Sequence, residues 1–261
     1  MTNIPQKINE GHKKARLVIF DLDGTLTASK TDMDEEMAGL LKGLLQKKQV
    51  AVIGGGAYEQ FQKQFLAKLD APAESLKNLF LFPTTATSFY HYVETGWQEV
   101  YVEKLTDEEK KRIFEAFEKT FKELDYHHPN KIYGELIEDR GTQVTFSALG
   151  QKAPLPEKEK WKKENADLKL KMVGILQNYL PNMEVRAAGH TSIDVTRKGI
   201  DKEYGIAQIK QHLGISFDEM LFVGDALFEG GNDYPALSTG VPCFEVSGPE
   251  DTKKIIGSLL E

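Results

Sequence analysis

The stretch LVIFDLDGTLT, residues 17–27, restricts the fold of this chain more than any other part of it. The unbroken apolar run from Leu17 to Phe20 suits a strand covered on both faces, and it leads directly into Asp21, Leu22, Asp23, Gly24 and Thr25. Two carboxylates therefore stand one residue apart where a buried strand emerges into a loop. Open parallel sheets bind ligands beyond the carboxyl ends of their strands. A carboxylate pair there can hold a divalent cation and still present an oxygen to a phosphoryl group.

The rest of the chain carries the same rhythm, with one interruption. Thr31, Asp32 and Asp34 offer cap chemistry before Met33, Met37, Leu40, Leu41, Leu44 and Leu45, which recur at helical spacing. QVAVI (49–53) predicts a second buried strand, GGG (54–56) a turn, the Tyr58, Phe61, Phe65, Leu69 series a helix, and 79–82 a third strand. Alternating strands and helices predict an α/β protein with a Rossmann-like, doubly wound parallel sheet.

From about Pro83 the pattern changes to hairpins. Strands are expected over 88–93, 98–103, 133–138, 143–147, 183–186 and 192–195, with a helix opened by the Thr106/Glu109 capping box and a longer one through Trp161 and Tyr179. This predicts an inserted α+β cap domain over 84–195, splitting a core domain made of 1–83 and 196–261. The alternating rhythm resumes after Gly199, with a helix over 202–213, strands over 220–223 and 241–246 around a loop at 224–233, and a last helix over 249–260.

The formal net charge of −7 argues against a broad surface for nucleic acid or anionic membrane. No segment approaches the ~18 apolar residues of a membrane span, and the first sixteen residues show no signal-peptide core, so a cytoplasmic protein is expected. The single cysteine, Cys243 in VPCFEV, excludes an intramolecular disulfide and suits a packed thiol. Phe114, Phe117 and Phe121 are read as core in preference to a surface for a homodimer through the cap.

Four distant features fall at corresponding places in the alternating part: Asp21/Asp23, the glycine turn, Lys202 at a helix start, and GDALFEGGND (224–233). All lie beyond strand ends or at helix starts, where they can converge. Asp21, Asp225 and Asp233 can hold a hard cation, Lys202 can neutralise phosphoryl charge, and backbone N–H groups near Gly54 and Gly55 can bind phosphate oxygens. Asp21 can also attack phosphorus, while Asp23 protonates the leaving oxygen and then deprotonates the acceptor. A calcium loop is disfavoured because Leu26 stands where an EF-hand needs glycine, and Glu59 stands where a dinucleotide fingerprint needs its last glycine.

FDLDGTLT (20–27), Lys202 and the acidic loop together resemble the haloacid dehalogenase superfamily of phosphotransferases, in its subclass with an α/β cap. Within it the chain is similar to eukaryotic-type phosphomannomutases, through VIGGGAYEQFQKQF (52–65), IEDRG to LGQ (137–151), GHTSIDVTRKGIDKEYG (189–205), GGND (230–233) and PEDTKKI (249–255). The resemblance implies Mg2+ as cofactor, Asp21 as nucleophile and metal ligand, Asp23 as acid/base and carbonyl ligand, Asp225 as a further ligand, and Asn232 and Asp233 in support. It implies a small phosphorylated substrate contacted by Arg140, Ser192 and Asp194. Family mutases use several cap arginines, but here Tyr133 and Gln151 stand at two of those positions and Lys30 at a third near the hinge. Loss of bidentate arginines weakens a distal phosphate site. The expectation is therefore a magnesium-dependent phosphatase of sugar phosphates, with a phosphomannomutase-type mutase as the alternative and a non-catalytic phosphosugar-binding protein third.

Overall fold

A computed structural model describes residues 7–28 and 31–261, so Lys30 lies outside the described residues. Among the described residues eleven strands form two sheets. The larger contains β1 (Leu17–Asp21), β2 (Gln49–Ile53), β3 (Leu79–Phe82), β4 (Ser88–Val93), β5 (Gly96–Val102), β10 (Met220–Gly224) and β11 (Cys243–Glu245) in the order β11-β10-β1-β2-β3-β4-β5. From β11 through β3 the strands run parallel.

Burial on both faces explains why β1 is apolar from Leu17 to Phe20. Val18 and Phe20 pack into one core with Met37, Leu41, Val50 and Val223, while Leu17 and Ile19 pack into another with Ala51, Phe82, Ile206 and Phe222. Helices Glu35–Leu45 and Pro249–Leu260 contribute to the first core, and Lys202–Leu213 to the second. Cys243 belongs to the second, where burial pushes its thiol up to about 12, in line with a packed thiol.

The hairpin β4–β5 corrects the expected division. It was expected in the inserted domain, but β4 pairs antiparallel with β3 and extends the first sheet. Without it, β3 would present an unpaired edge, and Phe82 would lose its stack on Phe89 at 4.5 Å. One compact unit therefore runs to Val102 and resumes at Ile200–Glu261, and the other is Glu103–Gly199.

In the second unit β6 (Ile137–Asp139), β7 (Val144–Ser147), β8 (Met183–Ala188) and β9 (Ser192–Arg197) form an antiparallel sheet in the order β6-β7-β9-β8. Val144, Phe146, Ile193 and Val195 share a core with Ile113, Phe117 and Phe121 of helix Asp107–Glu123 and with Trp161, Met172 and Leu176 of helix Leu155–Tyr179. Phe117 and Phe121 are thus core residues, whereas Phe114 stands off the stripe and is 36% exposed. The intervening strand residues Thr145, Ser147, Ser192 and Asp194 point to the opposite face. Of the strand expected over 133–138 only Ile137 and Glu138 are in strand, which runs on to Asp139, because the backbone of Tyr133 bonds instead with Leu149 and Lys152. Among the described residues no helix is long and apolar enough to cross a membrane.

The Thr106 cap is tied to the sheet through Glu109. Its carboxylate accepts from Arg197 Nε and Nη2, each at 2.8 Å, and Arg197 holds it down to about 2. A depressed carboxyl stabilises the fold above its unfolded value of about 4.3 and loses that contribution as pH falls towards the folded value. Glu109→Gln should therefore lower stability in urea unfolding at pH 7 by about 1–2 kcal/mol, with the gap to the parent narrowing as the titrations are repeated at increasingly acidic pH.

Candidate active site

The parallel register brings the ends of β1, β2 and β10 level, with Asp21 opposite Ile53 and Phe20 opposite Val223. β1 lies between β2 and β10, so the direction of strand connection reverses there, and the crevice at such a reversal is the usual ligand site of this sheet type. Asp21 ends β1, Asp225 follows β10, and Asp233 closes the loop after it. One carboxylate oxygen from each of Asp21, Asp225 and Asp233 lies within 4.8 Å of the others.

Local features hold these groups in place. Gly24 has φ +95°, and a Cβ there would come within 2.4 Å of Asp225 Oδ2, so the DxDG turn needs glycine both for conformation and for space. Thr25 Oγ1 donates to Asp225 Oδ1 at 3.4 Å, and the Ala226 N–H donates to Asp233 Oδ2 at 3.1 Å. Asp201 caps the helix that begins with Lys202. The Lys202 ammonium is bonded to Asp21, lies 3.1 Å from Asp233 Oδ1, and donates to the Ile53 carbonyl at 2.9 Å.

Lys202 is 2% exposed, Asp21 3% and Asp233 0%, so these charges meet away from water. Burial pushes the Asp21 carboxyl well above its ordinary value, with Asp233 and Asp225 adding to that and Lys202 opposing it. Burial disfavours the Lys202 ammonium, but Asp21 and Asp233 outweigh it and hold the ammonium above its usual range. Asp225 is raised by burial and by Asp233. Three carboxylates thus face one ammonium, and Asp233 Oδ1 has no well-directed hydrogen bond. An all-oxygen set with excess negative charge fits a hard divalent cation.

The other sequence-predicted residues divide between the two units. Gly54 was expected to offer its N–H to phosphate. Instead that N–H donates to the Phe82 carbonyl at 3.3 Å, because Gly54 continues the β2–β3 ladder by one step. Gly55 is exposed at the turn, and Asn232 is exposed beside buried Asp233. In the second unit Ser192 hydroxyl meets Ser147 at 2.8 Å and Asp194 accepts from Thr145 at 2.8 Å, directly across the β7–β9 pair. Arg140 donates to Glu138 at 2.6 Å and to Gln151 Oε1 at 3.3 Å, and the Tyr133 hydroxyl bonds Glu157.

Sequence reasoning missed Gln60 and Gln64, whose amides donate to the two carboxylate oxygens of Asp23 at 3.1 and 2.8 Å. The available signal was their four-residue spacing, offset from the apolar pair Phe61 and Phe65.

Removing one acid from a crowded, buried set relieves repulsion. Asp225→Asn should melt about 2–4 °C higher than the parent without added metal, and should show less of the rise in melting temperature that is expected of the parent in millimolar magnesium. Differential scanning calorimetry with and without magnesium chloride measures both.

The family model described as eukaryotic phosphomannomutase matches residues 37–261. A phosphomannomutase of Spinacia oleracea is 30% identical over 249 residues, covering 93% of this chain and 94% of that protein. Among solved structures, an IMP-bound IMP-nucleotidase of Plasmodium falciparum superposes with a TM-score of 0.70 at 18% identity, over 95% of this chain and 68% of that one. A haloacid dehalogenase-like hydrolase of Bacteroides thetaiotaomicron gives a TM-score of 0.60 at 16% identity, over 93% and 92%. These two likenesses concern the fold.

Proposed function

Because the chain belongs to the eukaryotic phosphomannomutase family, we propose that it is a phosphomutase of hexose phosphates, working through a phosphorylated Asp21. The observation that carries this reading is the buried Asp21–Lys202–Asp233 set at the end of β1, with Asp225 beside it. It supplies a nucleophile, a phosphoryl-binding cation and a metal-binding acid cluster at one point.

Asp21 Oδ attacks phosphorus and the bond from phosphorus to the sugar oxygen breaks, while Asp23 gives that oxygen a proton. Asp23 then removes the proton from the accepting hydroxyl as it attacks phosphorus, which frees Asp21. Lys202 holds the Asp21 carboxylate in place and balances phosphoryl charge. A magnesium ion held by Asp21, Asp225 and Asp233 would offset the remaining negative charge of the cluster and the phosphoryl group. By family resemblance Arg140, Ser192 and Asp194 contact the sugar phosphate, with Gln151 at a position where the family has arginine.

A phosphatase is the second reading, and one observation favours it. At the family's arginine positions 133 and 151 stand a tyrosine already bonded to Glu157 and a glutamine already bonded to Arg140, whose own charge is shared with Glu138. Charge-assisted hydrogen bonds contribute roughly 1.5–3 kcal/mol each, so two missing arginines would weaken the grip on a second phosphate by about 10²–10⁴-fold.

The two readings separate in one assay. With magnesium, a hexose 1-phosphate and catalytic hexose bisphosphate, the mutase reading expects the 6-phosphate isomer to form faster than free phosphate, and Asp21→Asn to abolish both. Phosphate release without isomer would establish the phosphatase. In that case Gln151→Arg should shift the product ratio towards isomer by about tenfold, read by phosphorus NMR.

A further inference from the structure

Asp23 is surrounded by more structure than a proton carrier at a loop requires. Gln64 Nε2 donates to Asp23 Oδ1 at 2.8 Å and to Thr27 Oγ1 at 2.6 Å. Gln60 Nε2 donates to Asp23 Oδ2 at 3.1 Å and to Gln64 Oε1 at 2.8 Å. Thr27 Oγ1 in turn donates to the Leu22 carbonyl at 3.3 Å. Each amide nitrogen thus serves two acceptors. Flipping either amide would set an oxygen against the carboxylate, so the network has one orientation.

The support beneath the network is rigid. Phe61 and Phe65, each 0% exposed, bury one face of the segment Tyr58–Leu69, leaving Gln60 and Gln64 together on another. The segment is α-helical at both ends but π-helical over Gln62–Leu66, a wider turn that occurs mostly inside α-helices and frequently at functional sites. The Gln64 carbonyl accepts from the Met33 N–H at 2.9 Å. The third glycine of the turn belongs to the same device, since a Cβ on Gly56 would lie 2.3 Å from Gln60 Oε1 and displace that amide.

We infer that Gln60 and Gln64 are positioning residues that hold the Asp23 carboxyl in one orientation for proton transfer, with Gly56 leaving space for Gln60. The inference rests on the proposed acid/base role of Asp23. Each amide occupies one position on its carboxylate oxygen and leaves others for the transferred proton. Both glutamines act only through Asp23. Their loss should matter in proportion to how much a step needs its proton, since a misplaced group of this kind costs up to about 10²-fold.

The leaving group supplies the test. p-Nitrophenolate departs without a proton, whereas a sugar oxygen needs one. With full-length protein and magnesium, Asp21 phosphorylation is followed by rapid quench from p-nitrophenyl phosphate and from a hexose 1-phosphate, for the parent, Asp23→Asn, Gln64→Leu, Gln60→Leu and Gly56→Ala. The expected result is that the ratio of aryl to sugar phosphorylation rates rises for Asp23→Asn, and rises about 10–100-fold for Gln64→Leu and less for Gln60→Leu and Gly56→Ala, with KM for the sugar phosphate little changed. Gln60 is half-buried, so its variant keeps the comparison informative if Gln64→Leu unfolds. If Asp23→Asn leaves the ratio unchanged, the acid/base reading falls, and this inference with it. If Asp23→Asn raises the ratio while Gln64→Leu and Gln60→Leu leave it at the parental value, the positioning role alone is overturned.

Discussion

The structure depends on one buried ammonium. Lys202 reaches the end of β1 from the start of a helix some 180 residues later in the chain, and there it meets Asp21, Asp233 and the Ile53 carbonyl. An unpaired carboxylate at 3% exposure would have to neutralise or leave, and removing one partner of such a pair generally costs about 3–5 kcal/mol. The ammonium therefore fixes more than a charge. It requires β2 beside β1, the helix cap at Asp201, and the loop that returns Asp233 after β10. With three acids around one base the set still lacks positive charge, and this deficit suits a site that receives a cation and a phosphoryl group together.

Much of this was legible in the sequence because it rests on short-range rules. A run buried on both faces cannot alternate, so LVIF announced β1. The helix Pro249–Leu260 was expected over the residues it occupies, with proline in its first turn and an apolar stripe behind it. Asp225 and Asp233 were found by their places after a strand, and Lys202 by its place at a helix start together with the family resemblance. The acids and the lysine proved mutually close, since parallel strands place their carboxyl ends on one edge.

What escaped the sequence depends on partners far away in the chain. A hairpin signal at 88–102 says that two strands pair, but not which sheet needs an edge covered. That choice was made by β3 and by Phe82 under Phe89. Gly54 looked like a phosphate donor because glycine turns often are, and only the position of the Phe82 carbonyl shows its N–H engaged. Gln64 is polar on an amphipathic helix, a pattern that ordinarily marks a solvated face, yet it is 5% exposed because Asp23 and Thr27 occupy that face.

The distinction between mutase and phosphatase lies outside the acid cluster. In the proposed chemistry, attack by water and attack by a sugar hydroxyl on phosphorylated Asp21 would use the same nucleophile, proton carrier and ammonium, so no change in Asp21, Asp23 or Lys202 would choose between them. The choice would then rest on how long a twice-phosphorylated sugar is retained. In the second unit, Arg140 already shares its charge with Glu138 at 2.6 Å. A phosphate binding to Arg140 would have to approach Glu138 as well, and like charge at that distance opposes it. Family membership favours retention, while this local charge balance favours release. Under the proposed chemistry, acceptor choice in this chain therefore turns on the side chains at 133, 138 and 151.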